Sequence, residues 1–159
     1  MDLSQEDRDL ILLEQIADDP DINQATLAEM LDVAVGTVNW HIKRLVAKGY
    51  VKAKRAQRKK LRYIITPEGL ALRAKLTVQY IENQMRLYRE TRTRVKELLA
   101  EIKAEGHQQV SIRGDSEIAD VCRLTCLEQG LEVVDREELP QLVVEGYAVS
   151  LVRDRADQE

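Results

Sequence analysis

Beyond Pro67 the chain runs to Gly106 with no further proline and with Gly69 as its only glycine. Over that stretch apolar side chains recur in alternating steps of four and three: Ala74, Val78, Ile81, Met85 and Tyr88, then Val95, Leu99 and Ile102, with Arg92 at the one polar position. Such alternation places every member on one stripe of an α-helix, as in a coiled-coil seam. A helix of roughly 35 residues is about 50 Å long, and a chain of 159 residues has little surface of its own to cover it. The helix could pack along its own subunit. The stronger expectation is a dimerisation helix over residues 70–105, with Val78, Ile81, Met85, Tyr88, Val95, Leu99 and Ile102 facing a second copy. Arg92 then either fixes the register or marks where the two helices diverge.

Charge is the second constraint. From His41 to Arg62 the sequence carries Lys43, Arg44, Lys48, Lys52, Lys54, Arg55, Arg58, Lys59, Lys60 and Arg62, with no Asp or Glu among them. Residues 1–40 hold one basic and ten acidic side chains, and residues 101–159 hold six basic and fourteen acidic. The formal net charge of −4 therefore conceals a strongly basic island between two acidic segments. Local concentration of this kind is the footprint of a protein that grips a phosphate backbone.

The island falls on recognisable elements. A first helix is expected over Gln5–Ala17, capped by Ser4, with Leu10, Leu13, Ile16 and Ala17 inward. Asp18-Asp19-Pro20-Asp21 ends it, since proline restricts the residue before it. Asn23 caps a short helix Gln24–Leu31, and Asp32-Val33-Ala34 forms the turn into a third helix, Val35–Lys48, stopped by Gly49. Strands Tyr50–Arg55 and Leu61–Ile65 follow, joined by the Ala56–Lys60 loop. Thr66-Pro67 caps and starts the long helix.

In a helix-turn-helix the second helix of the motif lies in the major groove. Projected at 100° per residue, Val35–Lys48 puts Val38, Ile42, Leu45 and Val46 on its core face. The opposite face holds Gly36, Trp40, Lys43, Arg44 and Ala47, with Thr37 and Asn39 at its edges. Gly36 allows close backbone approach at a helix N-terminus. Thr37 suits phosphate or a thymine methyl, Asn39 suits adenine, and Lys43 and Arg44 suit guanine or the backbone. Trp40 either stacks on sugar and base or props the helix against the hairpin. His41 sits on the flank, as a phosphate contact or in solvent. Arg58, Lys59 and Lys60 are placed to enter the minor groove or follow the backbone.

The run Gln24-Ala-Thr-Leu-Ala-Glu-Met-Leu, then Val35-Gly-Thr-Val-Asn-Trp-His-Ile-Lys-Arg-Leu-Val-Ala-Lys-Gly-Tyr-Val, resembles the winged helix-turn-helix of MarR-type transcription regulators. The continuation Lys60-Leu-Arg-Tyr-Ile-Ile-Thr-Pro-Glu-Gly, with the long helix after it, is similar to MarR-like regulators associated with exopolysaccharide gene clusters. The resemblance covers roughly residues 5–100 and implies a dimer that binds double-stranded DNA. Two departures stand out. Ala34 occupies the place of a capping Ser or Thr, and Gln57 and Lys59 replace the Asp-x-Arg of the usual wing, so the family's ligand pocket is not carried over.

After Gly106 the pattern changes. Gln109–Arg113 reads as a strand, Gly114 as a turn, Ser116–Glu128 as a helix, Leu131–Asp135 as a second strand and Tyr147–Val152 as a third, a small βαβ unit. Gly114, Ser116 and Asp135 stand where a Rossmann-like unit would hold a nucleotide. Yet Ser116 replaces the glycine that admits a pyrophosphate, and Asp115 and Glu117 add negative charge. A degenerate module for dimer contacts or partner docking is the stronger reading, with nucleotide or nucleotide-sugar sensing and a pocket for another effector as alternatives.

The fold expected is thus mainly α: a winged helix-turn-helix over 1–69, a long coiled-coil helix over 70–105, a small α/β unit over 106–152 and a disordered tail over 153–159. Cys122 and Cys126 fit as small packing residues in a reduced compartment, with no third or fourth ligand nearby for zinc. No cofactor or metal is expected. No catalytic constellation suggests an enzyme. No apolar run spans a bilayer and the acidic start lacks a signal-peptide pattern, so the expected location is the cytoplasm. The function expected is a homodimeric, sequence-specific DNA-binding regulator, responsive to a small-molecule effector if the last unit holds one. The alternative is a protein-binding adaptor or nucleotide-sensing module built on the βαβ unit.

Overall fold

The computed structural model describes residues 3–153. The chain divides into two compact units, the first ending at Glu82 and the second beginning at Asn83.

In the first unit, helix α1 (Gln5–Asp18) opens with a reciprocal cap. Ser4 Oγ accepts from the Asp7 amide at 3.1 Å, and the Asp7 carboxylate accepts from the Ser4 amide at 3.2 Å. Helix α2 (Gln24–Leu31) is capped by Asn23, whose Oδ1 accepts from the Thr26 amide at 2.8 Å. Asp32 ends α2 in the left-handed region at φ 52°, a conformation that Asp tolerates better than most residues. This tight turn delivers the chain into α3 (Val35–Ala47). Strands β1 (Val51–Arg55) and β2 (Leu61–Ile65) pair antiparallel, from Val51 opposite Ile65 to Arg55 opposite Leu61. A 3-10 turn, Gln57–Lys59, joins them with Arg58 at φ 64°. With no phenylalanine in the chain, aliphatic residues carry most of the core: Leu12 and Leu13 of α1, Leu27 of α2, Val38 and Leu45 of α3, and Val51 of β1 are all buried. Burying each such side chain contributes about 1.5–3 kcal/mol relative to exposure. Three helices and a hairpin in this order form a winged helix-turn-helix.

Backbone and side-chain hydrogen bonds fix the wing to its own unit. The Tyr63 amide donates to the Pro20 carbonyl at 3.0 Å. Thr66, between β2 and helix α4 (Pro67–Ala104), donates its hydroxyl to the Gly49 carbonyl at 2.6 Å and accepts from the Gly69 amide at 3.0 Å. Gly69 lies flush against the Tyr50 carbonyl: a Cβ built there would sit 2.1 Å from that oxygen.

The second unit contains the end of α4, strand β3 (Gln109–Arg113), helix α5 (Glu117–Glu128) and strands β4 (Glu132–Val133), β5 (Gln141–Glu145) and β6 (Ala148–Val152). The sheet order is β4-β3-β5-β6, with β3 parallel to both β4 and β5, and β5 antiparallel to β6. Its core joins Val95, Leu99 and Ile102 of α4 to Cys122 and Cys126 of α5 and to Val110 and Leu142 of the sheet.

Several expectations need correction. Val95, Leu99 and Ile102 are not free for a seam with a second copy, because they are at most 1% exposed and form the inner face of α4 in the second unit. The earlier members of that stripe, Ala74, Val78, Ile81, Met85 and Tyr88, are exposed. Arg92, where the stripe changes, pairs with Glu128 of α5 at 2.8 Å. On α1, Ala17 is exposed and Asp9 is buried; on α3, Val46 is exposed and His41 is buried. The second expected strand of the βαβ unit shrinks to Glu132–Val133, and the third is preceded by β5, which had no counterpart in the expectation. The tail expected over 153–159 lies, after Arg153, outside the described residues.

Candidate nucleic-acid interface

The outward face of α3 is built around Gly36, Trp40, Lys43 and Ala47, all exposed. Ala34 gives α3 no side-chain cap, so the unsatisfied amides of its first turn are not taken up by a hydroxyl or carboxylate at that position. A Cβ added at Gly36 would meet nothing within 4 Å, so the space outside this turn is open. Thr37 is half-buried, its amide bonded to the Ala34 carbonyl at 2.9 Å. Lys43 is exposed and makes no ion pair among the described residues.

The wing continues this surface. Lys52, Lys54, Arg55, Arg58, Lys60 and Arg62 are all exposed, and Lys59 belongs to the 3-10 turn. Lys54 stands directly opposite Arg62 across the hairpin. Like charges in opposed positions disfavour the pairing of the strands. Arg62 has one weak compensation, Asp21 at 3.4 Å, with both side chains more than half exposed.

Not every candidate on α3 is free. The Arg44 guanidinium is hydrogen-bonded to Asp9 Oδ2 of α1 and lies over the Trp40 ring, 5.3 Å from its centroid. His41 Nδ1 lies 3.1 Å from Asp9 Oδ1, and the His41 ring meets Trp40 edge-on at 4.9 Å. A carboxylate only accepts, so Nδ1 carries the proton and donates. Asn39 is half-buried, and its Nδ2 donates to Gln24 Oε1 at 3.1 Å; Gln24 Nε2 in turn donates to the Tyr63 hydroxyl at 3.0 Å. This relay ties α3, α2 and β2 together. Trp40 is 53% exposed, with its ring contacts to His41 and Arg44 of its own helix. The buried Asp9 was missed at the sequence level. The spacing of Val38, His41, Ile42 and Leu45 could have put His41 on the inner face of α3, but not against Asp9, 32 residues away.

In the second unit Gly114 and Ser116 have local structural roles, and of the three candidates only Asp135 lines the cleft beside β3. Gly114 has φ 135°, and a Cβ there would come 3.0 Å from Val144 Cβ, so its glycine is needed for packing on β5. The Ser116 hydroxyl caps α5, accepting from the Ala119 amide at 3.3 Å. Asp135 is exposed and lines a cleft of about 610 Å³ with Ser111, Arg113 and Gln141. Cys122 and Cys126 are buried free thiols, pushed by burial up to about 11 and about 12 respectively, so neither supplies a thiolate near neutral pH.

Residues 5–52 match the family model described as winged helix-turn-helix DNA-binding. A comparison with curated protein sequences finds no match. Among solved structures the chain is similar to MepR of Staphylococcus aureus, a transcription regulator of the multidrug efflux pump MepA, at 18% identity and a TM-score of 0.47, covering 64% of this chain and 78% of that one. It is similar to the S. aureus MepR–DNA complex at 21% identity and a TM-score of 0.45, covering 64% and 75%. It is also similar to a MarR protein of Peptoclostridium difficile at 22% identity and a TM-score of 0.46, covering 61% and 67%. Residues 5–52 therefore carry the pattern of a winged helix-turn-helix DNA-binding module.

Proposed function

We propose that this chain is a homodimeric, MarR-like transcription regulator that binds double-stranded DNA sequence-specifically, with α3 in the major groove and the wing on the backbone or in the minor groove. The observation that carries the reading is the run of exposed basic side chains from Lys43 of α3 through both wing strands, a stretch of sequence with no Asp or Glu, including Lys54 opposed to Arg62. A hairpin that holds like charges face to face gains from a polyanion what it forgoes in its own pairing. Gly36, Thr37, Trp40 and Lys43 are the groove-facing group, with Asn39 at its edge committed through its amide to Gln24, and Arg58, Lys59 and Lys60 are the wing contacts.

Dimerisation is supported by Val78, Ile81, Met85 and Tyr88, each exposed and spaced by three or four residues on α4. Apolar side chains clustered in that way mark an interaction surface. A two-fold dimer reads a near-palindromic site with half-sites about 34 Å apart, or a multiple of that. The second unit is assigned to dimer contacts or partner docking as a Rossmann-like module, with its 610 Å³ cleft open to an effector. The sequence resemblance is to regulators associated with exopolysaccharide gene clusters, and the location expected from the sequence is the cytoplasm.

The test is a shift assay on the DNA upstream of the protein's own gene, against a scrambled duplex, over a salt series. Retention of the upstream fragment with a steep salt slope supports the regulator. Replacing Lys59 and Lys60 by alanine weakens binding to all duplexes and flattens the slope, because phosphate contacts carry no sequence information. Unchanged affinity at low salt in that variant removes the wing from the interface. Capture of an acidic protein with no DNA shift favours an adaptor instead.

A further inference from the structure

Asp9, His41, Arg44 and Trp40 form a closed circuit in which each side chain touches two of the others. Asp9, 6% exposed, holds His41 with one carboxylate oxygen and Arg44 with the other. His41 meets the Trp40 ring edge-on, and Arg44 lies over its face. The one member left in solvent is the indole, at the centre of the outward face of α3. From this we infer that Trp40 is a specificity-determining residue, an immobilised apolar surface that packs against the C5-methyl group of thymine in the major groove. Arg44 is its positioning residue rather than a phosphate contact. The inference rests on the DNA-binding reading above.

Four considerations lead there. Helical side chains lean toward the N-terminus of their helix, so Trp40 leans toward Gly36, where no side chain stands and the space is open. That is the half of a recognition helix that meets base edges. A ring with a guanidinium over one face cannot be sandwiched between two bases, which excludes intercalation and leaves contact by the exposed part of the ring. In the major groove the apolar feature is the thymine methyl. Finally, an indole fixed before binding loses less conformational freedom on contact than a mobile one. Arg44 has meanwhile given its guanidinium to Asp9 and Trp40, and its Nε is buried without a hydrogen-bond partner.

The experiment uses the full chain and a duplex that it selects from a random-sequence pool, made once with thymine and once with uracil throughout. Uracil keeps the base pairing and the phosphates and removes only the methyl. The wild-type protein is expected to bind the uracil duplex about fourfold more weakly for each methyl it contacts. Trp40→Leu and Trp40→Ala are expected to show a much smaller difference between the two duplexes, and Trp40→Phe to keep part of it. Arg44→Gln is expected to lose the methyl preference while the slope of log affinity against log salt stays unchanged. Circular dichroism checks that each variant is folded, and the exposed position of Trp40 makes its substitutions safe for the core. An equal response of wild type and the Trp40 variants to uracil overturns the inference and leaves DNA binding intact. A salt slope lower by about one in Arg44→Gln makes Arg44 a phosphate contact and overturns its positioning role. Selection of no duplex even at low salt is the separate failure of the DNA-binding reading, which takes the inference with it.

Discussion

Arg92 of α4 donates from Nε and Nη2 to one carboxylate oxygen of Glu128 on α5, at 3.0 and 2.8 Å. It stands where the apolar stripe of α4 changes role. Before it, Met85 and Tyr88 are exposed; after it, Val95, Leu99 and Ile102 are buried within the second unit. One continuous periodicity is therefore exposed on one side of Arg92 and buried on the other. Substitutions on either side of Arg92 should behave differently. Leu99→Ala should destabilise the second unit by about 2–5 kcal/mol, through lost burial and the cavity left behind, with a urea midpoint lowered at every protein concentration. Met85→Glu or Ile81→Glu should leave the fold intact and weaken the dimer, read by sedimentation as a shift to monomer. A dimer unaffected by both charged substitutions would move the interface off this face.

Asp9 should be the costliest polar residue of the first unit to lose. Asp9→Ala strands His41 and Arg44 in a buried setting, and breaking a buried ion pair costs about 3–5 kcal/mol. The expected result is a large drop in the denaturant midpoint. In the Asp9→Ala background, Arg44→Met should then cost much less than it does alone, because the charge it removes has already lost its partner. Additive effects in this double-mutant cycle would show that the two side chains are not coupled.

These two cases show what was legible in the sequence. The helix-turn-helix, its hairpin and the long helix could be read because each has local punctuation: Asn23 at a cap, Gly49 after α3, Thr66-Pro67 at the start of α4. The alternating spacing located the stripe on α4 correctly, but periodicity reports only that a face is covered, and it is silent on whether the cover is a second copy or a sheet later in the same chain. Glu128, Val110 and Leu142 are distant in sequence, so the burial of Val95, Leu99 and Ile102 could not be read locally. The same holds for Asp9, whose partners are 32 and 35 residues away. Basic residues on α3 read as one group; long-range pairing with Asp9 removes Arg44 from it. Strand β5 is not apparent in the sequence because Pro140 precedes it and Leu142-Val143-Val144 is a short continuous apolar run without the alternation of Gln109–Arg113.

Gly69 offers a steric test of the joint between wing and α4. A Cβ there would lie 2.1 Å from the Tyr50 carbonyl oxygen and 3.0 Å from Ile65 Cγ2, so backbone must move to admit it. Gly69→Ala in an ordinary exposed helix would be mildly stabilising. Here the expected result is destabilisation by about 1–3 kcal/mol, the range for overpacking. The measurement is thermal unfolding beside Ala71→Gly, an exposed position on the same helix where the loss should be about 1 kcal/mol from propensity alone. A melting temperature raised by Gly69→Ala would contradict the close approach.

Cys122 and Cys126 predict how stability changes in alkali. Burial pushes their thiols up to about 11 and about 12, whereas an unfolded cysteine ionises near 8.5. Between these limits the unfolded chain has released protons that the folded chain still holds. The unfolded state then binds fewer protons, so stability falls as pH rises. The contribution is constant below about pH 8 and is lost progressively from about pH 8.5 toward the folded values. Thermal melts from about pH 8 to about pH 10.5 should therefore show a falling midpoint, and the slope should flatten in the Cys122→Ala, Cys126→Ala variant even though its midpoint at neutral pH is lower. Iodoacetamide at about pH 8 should leave both thiols unmodified in the native chain and alkylate both in denaturant. Rapid native-state alkylation, or an equal alkaline slope in the double variant, would show that these thiols are not held protonated in the core.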